Sequence, residues 1–373
     1  MIYLDNAAST PPYPELIEEF KNWLTEYYPN PDATHEAGYR SLMALQRAER
    51  NVLKLIQAES AGIVWTGTAT EALNLGIRGY CQNFDDGHVV STALEHKSVL
   101  EPVKQSHLKH KYLPLNDDGI IDIKRAGEVI DSQTRLIAVS HINNETGVIH
   151  PIKELVKLKA KLAPKARILV DAAQSFGKID LSWKSLGIDM MVATAHKING
   201  INGTAALVFD KTVKLREQTL GGGQQNALRS GTLNVPGILA FSKAAEISVK
   251  HMNEVNERIV QINRFVRDSL KKIFQDKIIF HAHAHLADPH ILSFALTGYQ
   301  GAILMRYLGA EGVIVGTGSA CLAEVNAASH VMTALNVPKH LAFATLRVSF
   351  GYQNSMEDAE AFIKILQLAV KEY

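Results

Sequence analysis

The sequence predicts an α/β fold in which a mainly parallel sheet is covered by helices on both faces and is followed by a smaller α+β unit. Three observations point there. Short β-branched or apolar runs at residues 63–66, 88–92, 135–140, 167–170, 190–193 and 204–209 recur with helical stretches between the earlier ones, the pattern of βαβ units. Those runs are continuously apolar instead of alternating, as expected of strands buried on both faces. Beyond about residue 274 the texture changes to isolated strand-like segments set among turns.

Taken in order, residues 36–58 carry Leu42, Leu45, Val52, Leu55 and Ile56 at helical spacing, with no Gly or Pro after Gly38, and predict an amphipathic helix. The six strand-like runs follow. Residues 237–274 predict a long helix rich in Lys, Glu and Arg. A strand at 291–295, a Gly-rich turn at 316–318, a strand at 346–350 and a terminal helix from Met356 complete the smaller unit. The expected division is a large domain over 16–250 and a small domain formed by 1–15 and 251–373. No internal repeat or low-complexity tract interrupts it.

Composition excludes several classes. The chain has 373 residues, 39 Lys+Arg against 38 Asp+Glu, a net charge of +1 and 46% hydrophobic residues. Disorder needs low hydrophobicity with high net charge, and no apolar run reaches the length of a membrane span. Near-neutrality argues against direct, extensive nucleic-acid binding, which rests on clustered Lys and Arg. The two cysteines, Cys81 and Cys321, are far apart, so neither a disulfide framework nor a structural zinc site is expected. The N-terminus, Met1 to Asn6, has no basic region leading into an apolar one. The expected setting is cytoplasmic.

In open parallel sheets, ligands sit beyond the carboxyl ends of the strands. After residues 63–66 comes Gly67-Thr-Ala-Thr-Glu-Ala-Leu-Asn74, a Gly and hydroxyl turn into a helix, whose free N–H groups and positive end suit a phosphate; Thr is also an ordinary N-cap there. Later strands are followed by Glu95-His96-Lys97, by His141-Ile-Asn-Asn144-Glu145, by Asp171-Ala-Ala-Gln174 and by Thr194-Ala-His196-Lys197. An acid, an amide, a His and a Lys thus share one sheet edge. This set suits pyridoxal phosphate: a carboxylate keeps the pyridine nitrogen protonated, a Lys forms the Schiff base and moves the proton, an amide orients the ring, and hydroxyls hold the phosphate. A nucleotide-binding α/β enzyme is the alternative.

With these motifs in this order, the chain resembles the cysteine desulfurases of the NifS/IscS type, within the class V, fold type I pyridoxal-phosphate enzymes. The resemblance runs from Tyr3-Leu-Asp-Asn-Ala-Ala8 to the last helix. It implies a seven-stranded, mainly parallel sheet in the large domain. It also implies that Lys197, in Ala195-His-Lys-Ile-Asn-Gly200, is the Schiff-base lysine, that Asp171 pairs with the pyridinium, that Gln174 contacts the phenolic oxygen and that His96 stacks on the ring. Asn144 would contact ring and substrate, and Ala69, Thr70, Thr194 and His196 would hold the phosphate. Thr232, in Arg229-Ser-Gly-Thr232, would reach that phosphate from the second subunit of a homodimer, and Arg347 would fork onto the substrate carboxylate.

Cys321, in Gly318-Ser-Ala-Cys321, resembles the cysteine that accepts sulfur from L-cysteine as a persulfide and passes it to an acceptor protein of iron–sulfur cluster assembly or thiolation. A base in the site, His96 or another, would ionise its thiol. Cys81 reads as a buried, inert thiol. A selenocysteine lyase, or a sulfur-relay partner without turnover, are the alternative functions. The chain departs from the family pattern at Thr194, where Ser is usual, at Ile201-Asn202, at Gln225-Asn226-Ala227 and beyond Cys321, at 322–328. The alternating His281, His283 and His285, with His290, carry the ligand type of a zinc or nickel site; a surface strand or loop is the expected reading, and no metal.

Overall fold

The computed structural model describes residues 1–318 and 328–373; Cys321 lies outside the described residues. Strands are numbered in chain order. The first, β1 (Ile2–Tyr3), is a short strand that pairs outside the main sheet. Then come β2 (Gly62–Thr66), β3 (His88–Ser91), β4 (Lys109–Tyr112), β5 (Thr134–Ser140), β6 (Arg167–Asp171), β7 (Met190–Thr194) and β8 (Ala205–Phe209). These seven form one sheet of order β2-β8-β7-β6-β5-β3-β4. Only β8 runs against its neighbours, pairing antiparallel with β2 and β7; the other pairs are parallel. The carboxyl ends of β2, β3, β5, β6 and β7 therefore meet at one edge. The expected fold class and strand number are found.

Strands β3 and β7 are buried along their whole length, and β5 and β6 at all but one residue each, as their apolar runs required. The strand that sequence patterning did not reveal is β4, Lys-His-Lys-Tyr, at the sheet margin and half exposed. Its register against β3 comes from backbone pairing and from His110 Nε2 hydrogen-bonded to Ser91 Oγ at 2.8 Å. At the opposite margin, Gln225 covers the edge of β2: its Oε1 accepts from Trp65 N at 2.7 Å, and its Nε2 donates to Trp65 O at 2.9 Å. Gln225, Asn226 and Ala227 all lie at positive φ. This tight left-handed turn, at the segment that departs from the family pattern, turns a side-chain amide onto an otherwise open strand edge.

The predicted helix over 36–58 is found at Glu36–Leu55. His35 caps its start, Nδ1 accepting from Gly38 N at 3.1 Å, and its end comes earlier than expected because Gln57 adopts φ 56°. The long helix spans Val235–Phe274, capped by Asn234. Ile238, Phe241 and Ala245 of this helix join the core beneath the large sheet. Further along, Ile259, Val266 and Leu270 join a second core with Leu4, Phe294, Val348 and Phe362.

That second core is built on β9 (Ile278–Phe280), β10 (Ile291–Leu296), β11 (Val313–Ile314) and β12 (Thr345–Ser349). Strands β12, β10 and β9 form an antiparallel sheet in that order, and β11 pairs in parallel with β1. The terminal helix, Met356–Glu372, begins at a capping box made by Ser355 and Asp358. Among the described residues no helix is long and apolar enough to cross a membrane.

Candidate active site

A cavity of about 410 Å³ opens at the carboxyl edge of the large sheet. It is lined by Ala69, Thr70, His96 and Asn144. Asp171, Gln174, Thr194, His196, Lys197 and Arg347 line it too, as does Gly318 from the motif that leads to Cys321. Ten of the residues singled out from sequence thus converge on one space. Thr232 is exposed and does not line this cavity.

Each wall has a local cause. Thr68 caps the Ala69–Cys81 helix, its side chain accepting from Glu71 N at 3.2 Å, so the helix starts at the cavity with its first N–H groups directed outward. Glu71 ties this turn together: Oε2 accepts from Gly67 N at 2.8 Å, and Oε1 takes Arg229 Nε at 2.7 Å. The Thr in this turn is therefore both an N-cap and a wall of the cavity.

Asp171 ends β6 and is buried; its Oδ1 accepts from Ala173 N at 3.0 Å. Burial raises its pKa, while Ala173 N–H, His96 and Lys197 pull it back. Lys197 lies in the short turn that follows β7. Its Nζ donates to the carbonyl oxygens of Ala7 and Ala8, the latter at 2.7 Å. Burial, with the positive charges of Lys178 and Arg347, brings its pKa down to about 7. Gln174 Nε2 donates to Ala7 O at 2.9 Å.

His96 starts the Lys97–Lys104 helix, and its Nδ1 accepts from Ser98 N at 3.2 Å. A neutral ring held this way carries its proton on Nε2. Burial disfavours its charged form. Thr194 Oγ1 and His196 Nδ1 are 2.9 Å apart, and burial lowers the His196 pKa to about 4. Arg347, buried on β12, donates through Nη1 to Asn144 O at 2.9 Å and through Nη2 to Asp5 Oδ1 at 2.7 Å.

Several lining residues were not foreseen as part of the site. The Ala7 and Ala8 carbonyls belong to the N-terminal segment, which Asn6 Nδ2 stitches to Ser349 O at 2.8 Å and Thr10 Oγ1 to His196 O at 2.9 Å. Ser140, at the end of β5, lines the cavity, and its buried hydroxyl has no partner among the described residues; its place as the last residue of a strand was a usable signal. Glu145 is buried, and its Oε2 accepts from Ser329 Oγ at 2.5 Å. His330 donates from Nε2 to Glu95 O at 2.9 Å. Nothing in local sequence patterning links residues 145 and 329.

The two other sequence questions have structural answers. Cys81 closes the Ala69–Cys81 helix inside an apolar cluster, and burial pushes its thiol up to about 12. His281 turns inward to Thr345 Oγ1 at 2.9 Å, whereas His283 and His285 are exposed and stacked on each other. Among the described residues no cluster of His, Cys, Asp or Glu is arranged to hold a metal ion.

Comparison with known proteins gives a consistent picture. A protein named cysteine desulfurase IscS from Dictyoglomus turgidum is 32% identical over 100% of this chain and 95% of its own length. Among solved structures, a NifS-like protein superposes with a TM-score of 0.93 at 27% identity, covering 100% of both chains. A structure described as SspA in complex with cysteine gives a TM-score of 0.81 at 28% identity, covering 94% of this chain and 99% of that one. Residues 2–362 match the family described as aminotransferase class-V, and with that span and these full-length relatives the chain belongs to the class-V aminotransferase family.

Proposed function

We propose that the chain is a pyridoxal-phosphate-dependent cysteine desulfurase: it removes sulfur from L-cysteine, forming L-alanine and a persulfide on Cys321. The observation that carries this reading is the meeting of Lys197, Asp171, Gln174, His96 and Arg347 around one cavity, in a chain whose full-length relatives are named cysteine desulfurases.

The residues present fit the cofactor. A lysine amine brought to about 7 is substantially neutral at neutral pH, the form that condenses with an aldehyde. A buried carboxylate at Asp171 lines the same cavity. The helix start at Ala69 and Thr70, with Thr194 and His196, offers N–H and hydroxyl donors for a phosphate, and Ser140 keeps an unused buried hydroxyl. In this reading Lys197 anchors pyridoxal phosphate, Asp171 holds the proton on its ring nitrogen, Gln174 and Asn144 orient it, and His96 covers its face. When bound, the cofactor supplies an electron sink for the pair released at the substrate Cα.

The chain's own residues carry the remaining steps. Arg347 holds the substrate carboxylate through its guanidinium. Lys197 Nζ takes the Cα proton and returns a proton to the substrate. The Cys321 thiolate attacks the substrate sulfur: an S–S bond forms, the Cβ–S bond breaks, and its electron pair stays on carbon, which gains a proton and leaves as the methyl group of alanine. The sulfur then passes to an acceptor protein. Thr232, exposed in one chain, reaches the phosphate of a second copy, making the enzyme a homodimer, and two cysteines far apart in sequence fit a reducing, cytoplasmic setting.

The test is alanine formation from L-cysteine by the purified protein with a reductant, alongside its visible spectrum. Turnover accompanied by cofactor absorbance is expected. A protein that takes up the cofactor and yields no alanine overturns the activity.

A further inference from the structure

The N-terminal motif Tyr3-Leu-Asp-Asn-Ala-Ala8 has a member that the proposed chemistry does not use. Asp5 Oδ1 accepts from Arg347 Nη2 at 2.7 Å. The other arm of the same guanidinium, Nη1, donates to Asn144 O at 2.9 Å, and Nε is buried without a partner among the described residues. Asp5 is itself fixed by backbone: it bridges to Ser349 on β12, and its carbonyl accepts from Tyr3 Oη at 3.2 Å.

Gly316 completes the arrangement. Its N donates to Arg347 O at 3.0 Å, and Arg347 N donates back to Gly316 O at 2.7 Å. A Cβ at Gly316 would lie 2.9 Å from Asp5 Oδ1 and 3.1 Å from Arg347 Nη2, so only a residue without a side chain lets the ion pair close over this turn. Segments far apart in sequence, at residues 5, 144, 316 and 347, thus hold one guanidinium in one orientation.

We infer that Asp5 is a positioning residue that sets recognition of the substrate carboxylate by pre-orienting Arg347; this rests on the reading of Arg347 as the carboxylate anchor. A guanidinium has five N–H donors; the protein occupies one on each Nη and buries Nε, leaving the second N–H of each Nη for a ligand. A long flexible side chain already held in place loses little freedom when the ligand arrives, which is how preorganisation raises affinity. The carboxylate of Asp5 also offsets the positive charge, so that selection of the ligand falls on the geometry of the fork more than on bulk charge.

The experiment measures KM and kcat for L-cysteine in the holoenzyme, with its visible spectrum as a check on folding and loading. Asp5→Ala should raise KM about tenfold while kcat changes less than about threefold, the pattern of lost binding that is uniform along the reaction. Asp5→Asn, which keeps an acceptor oxygen, should recover most of that loss. Inhibition by cysteamine, which has no carboxylate, should be the same in Asp5→Ala as in the wild type. Gly316→Ala, which presses on the pair from the other side, should reproduce the same split. An unchanged KM in Asp5→Ala and Gly316→Ala, with a raised KM in Arg347→Ala, overturns the inference alone. An unchanged KM in Arg347→Ala removes the anchor and the inference together.

Discussion

Lys197 Nζ donates to the carbonyl oxygen of Ala8 at 2.7 Å, so the amine at the centre of the site is held by the first ten residues of the chain. That placement, in a buried site shared with the charges of Lys178 and Arg347, accounts for a pKa near 7. Ordinary lysines titrate above 10. The cofactor-free protein should therefore gain visible absorbance with pyridoxal phosphate at a rate that climbs about tenfold per pH unit below 7 and flattens above it. Stopped-flow mixing across pH 5.5 to 9 checks this, and a rate still climbing through pH 9 would show an amine with an ordinary pKa. Lys197→Ala should bind the cofactor without the wild-type spectrum.

The two cysteines should separate cleanly. Cys81 is buried, with its thiol pushed up to about 12, so alkylation of the native protein at pH 8 should leave it unmodified, and unfolding should expose it. Cys81→Ala should retain alanine formation and lose about 1 kcal/mol of stability from the removed packing. Cys321→Ser should keep cofactor absorbance and lose alanine formation. Peptide mapping and the alanine assay check the pair; unimpaired turnover by Cys321→Ser would remove Cys321 from the chemistry.

Glu95 behaves differently because it is fully buried between two donors. Its Oε1 accepts from Thr92 Oγ1 at 2.7 Å and its Oε2 from Ser140 N at 2.7 Å, yet burial, reinforced by the charge of Asp171, raises its pKa to about 7. An acid whose folded pKa is raised destabilises the fold where it must ionise. Below the unfolded value of 4.5 both states keep the proton and nothing is lost; between 4.5 and 7 the unfolded state ionises first; above 7 the whole penalty is present. A shift of this size corresponds to about 3 kcal/mol. Glu95→Gln should be relatively more stable at pH 8 than at pH 4.5 when each is compared with the wild type by urea unfolding. A difference independent of pH would show that Glu95 does not titrate in this range.

How much of this was legible in sequence follows from the physics of each element. Strands β6 and β7 were visible because burial on both faces demands unbroken apolar runs. Strand β4 was not, because a half-exposed margin places no such demand on Lys-His-Lys-Tyr, and backbone pairing with the His110–Ser91 hydrogen bond defines it. Asp171, Thr194 and Lys197 could be found because they close or follow strands that end at one edge. Glu145 with Ser329 and Asp5 with Arg347 could not, since their contacts span separations of 184 and 342 residues, and only tertiary packing brings them together.

Thr232 offers a test of the assembly that a single chain cannot pass. It is exposed and does not line the cavity of its own chain, while Arg229, three residues earlier, is hydrogen-bonded to Glu71 in the turn that opens the Ala69–Cys81 helix. If Thr232 serves the neighbouring copy, each active site draws Lys197 from one chain and Thr232 from the other. Dimers of Lys197→Ala should be inactive, and dimers of Thr232→Ala should bind the cofactor more weakly, by about fivefold to tenfold for one lost charge-assisted hydrogen bond. In a mixed dimer, the chain carrying Thr232→Ala keeps its own Lys197 and receives an intact Thr232 from its partner, so one site is wild type. Mixed dimers isolated through two affinity tags should then show wild-type cofactor affinity at half of their sites and about half of the wild-type turnover. Mixed dimers with only the weakened affinity of Thr232→Ala would place Thr232 in the site of its own chain.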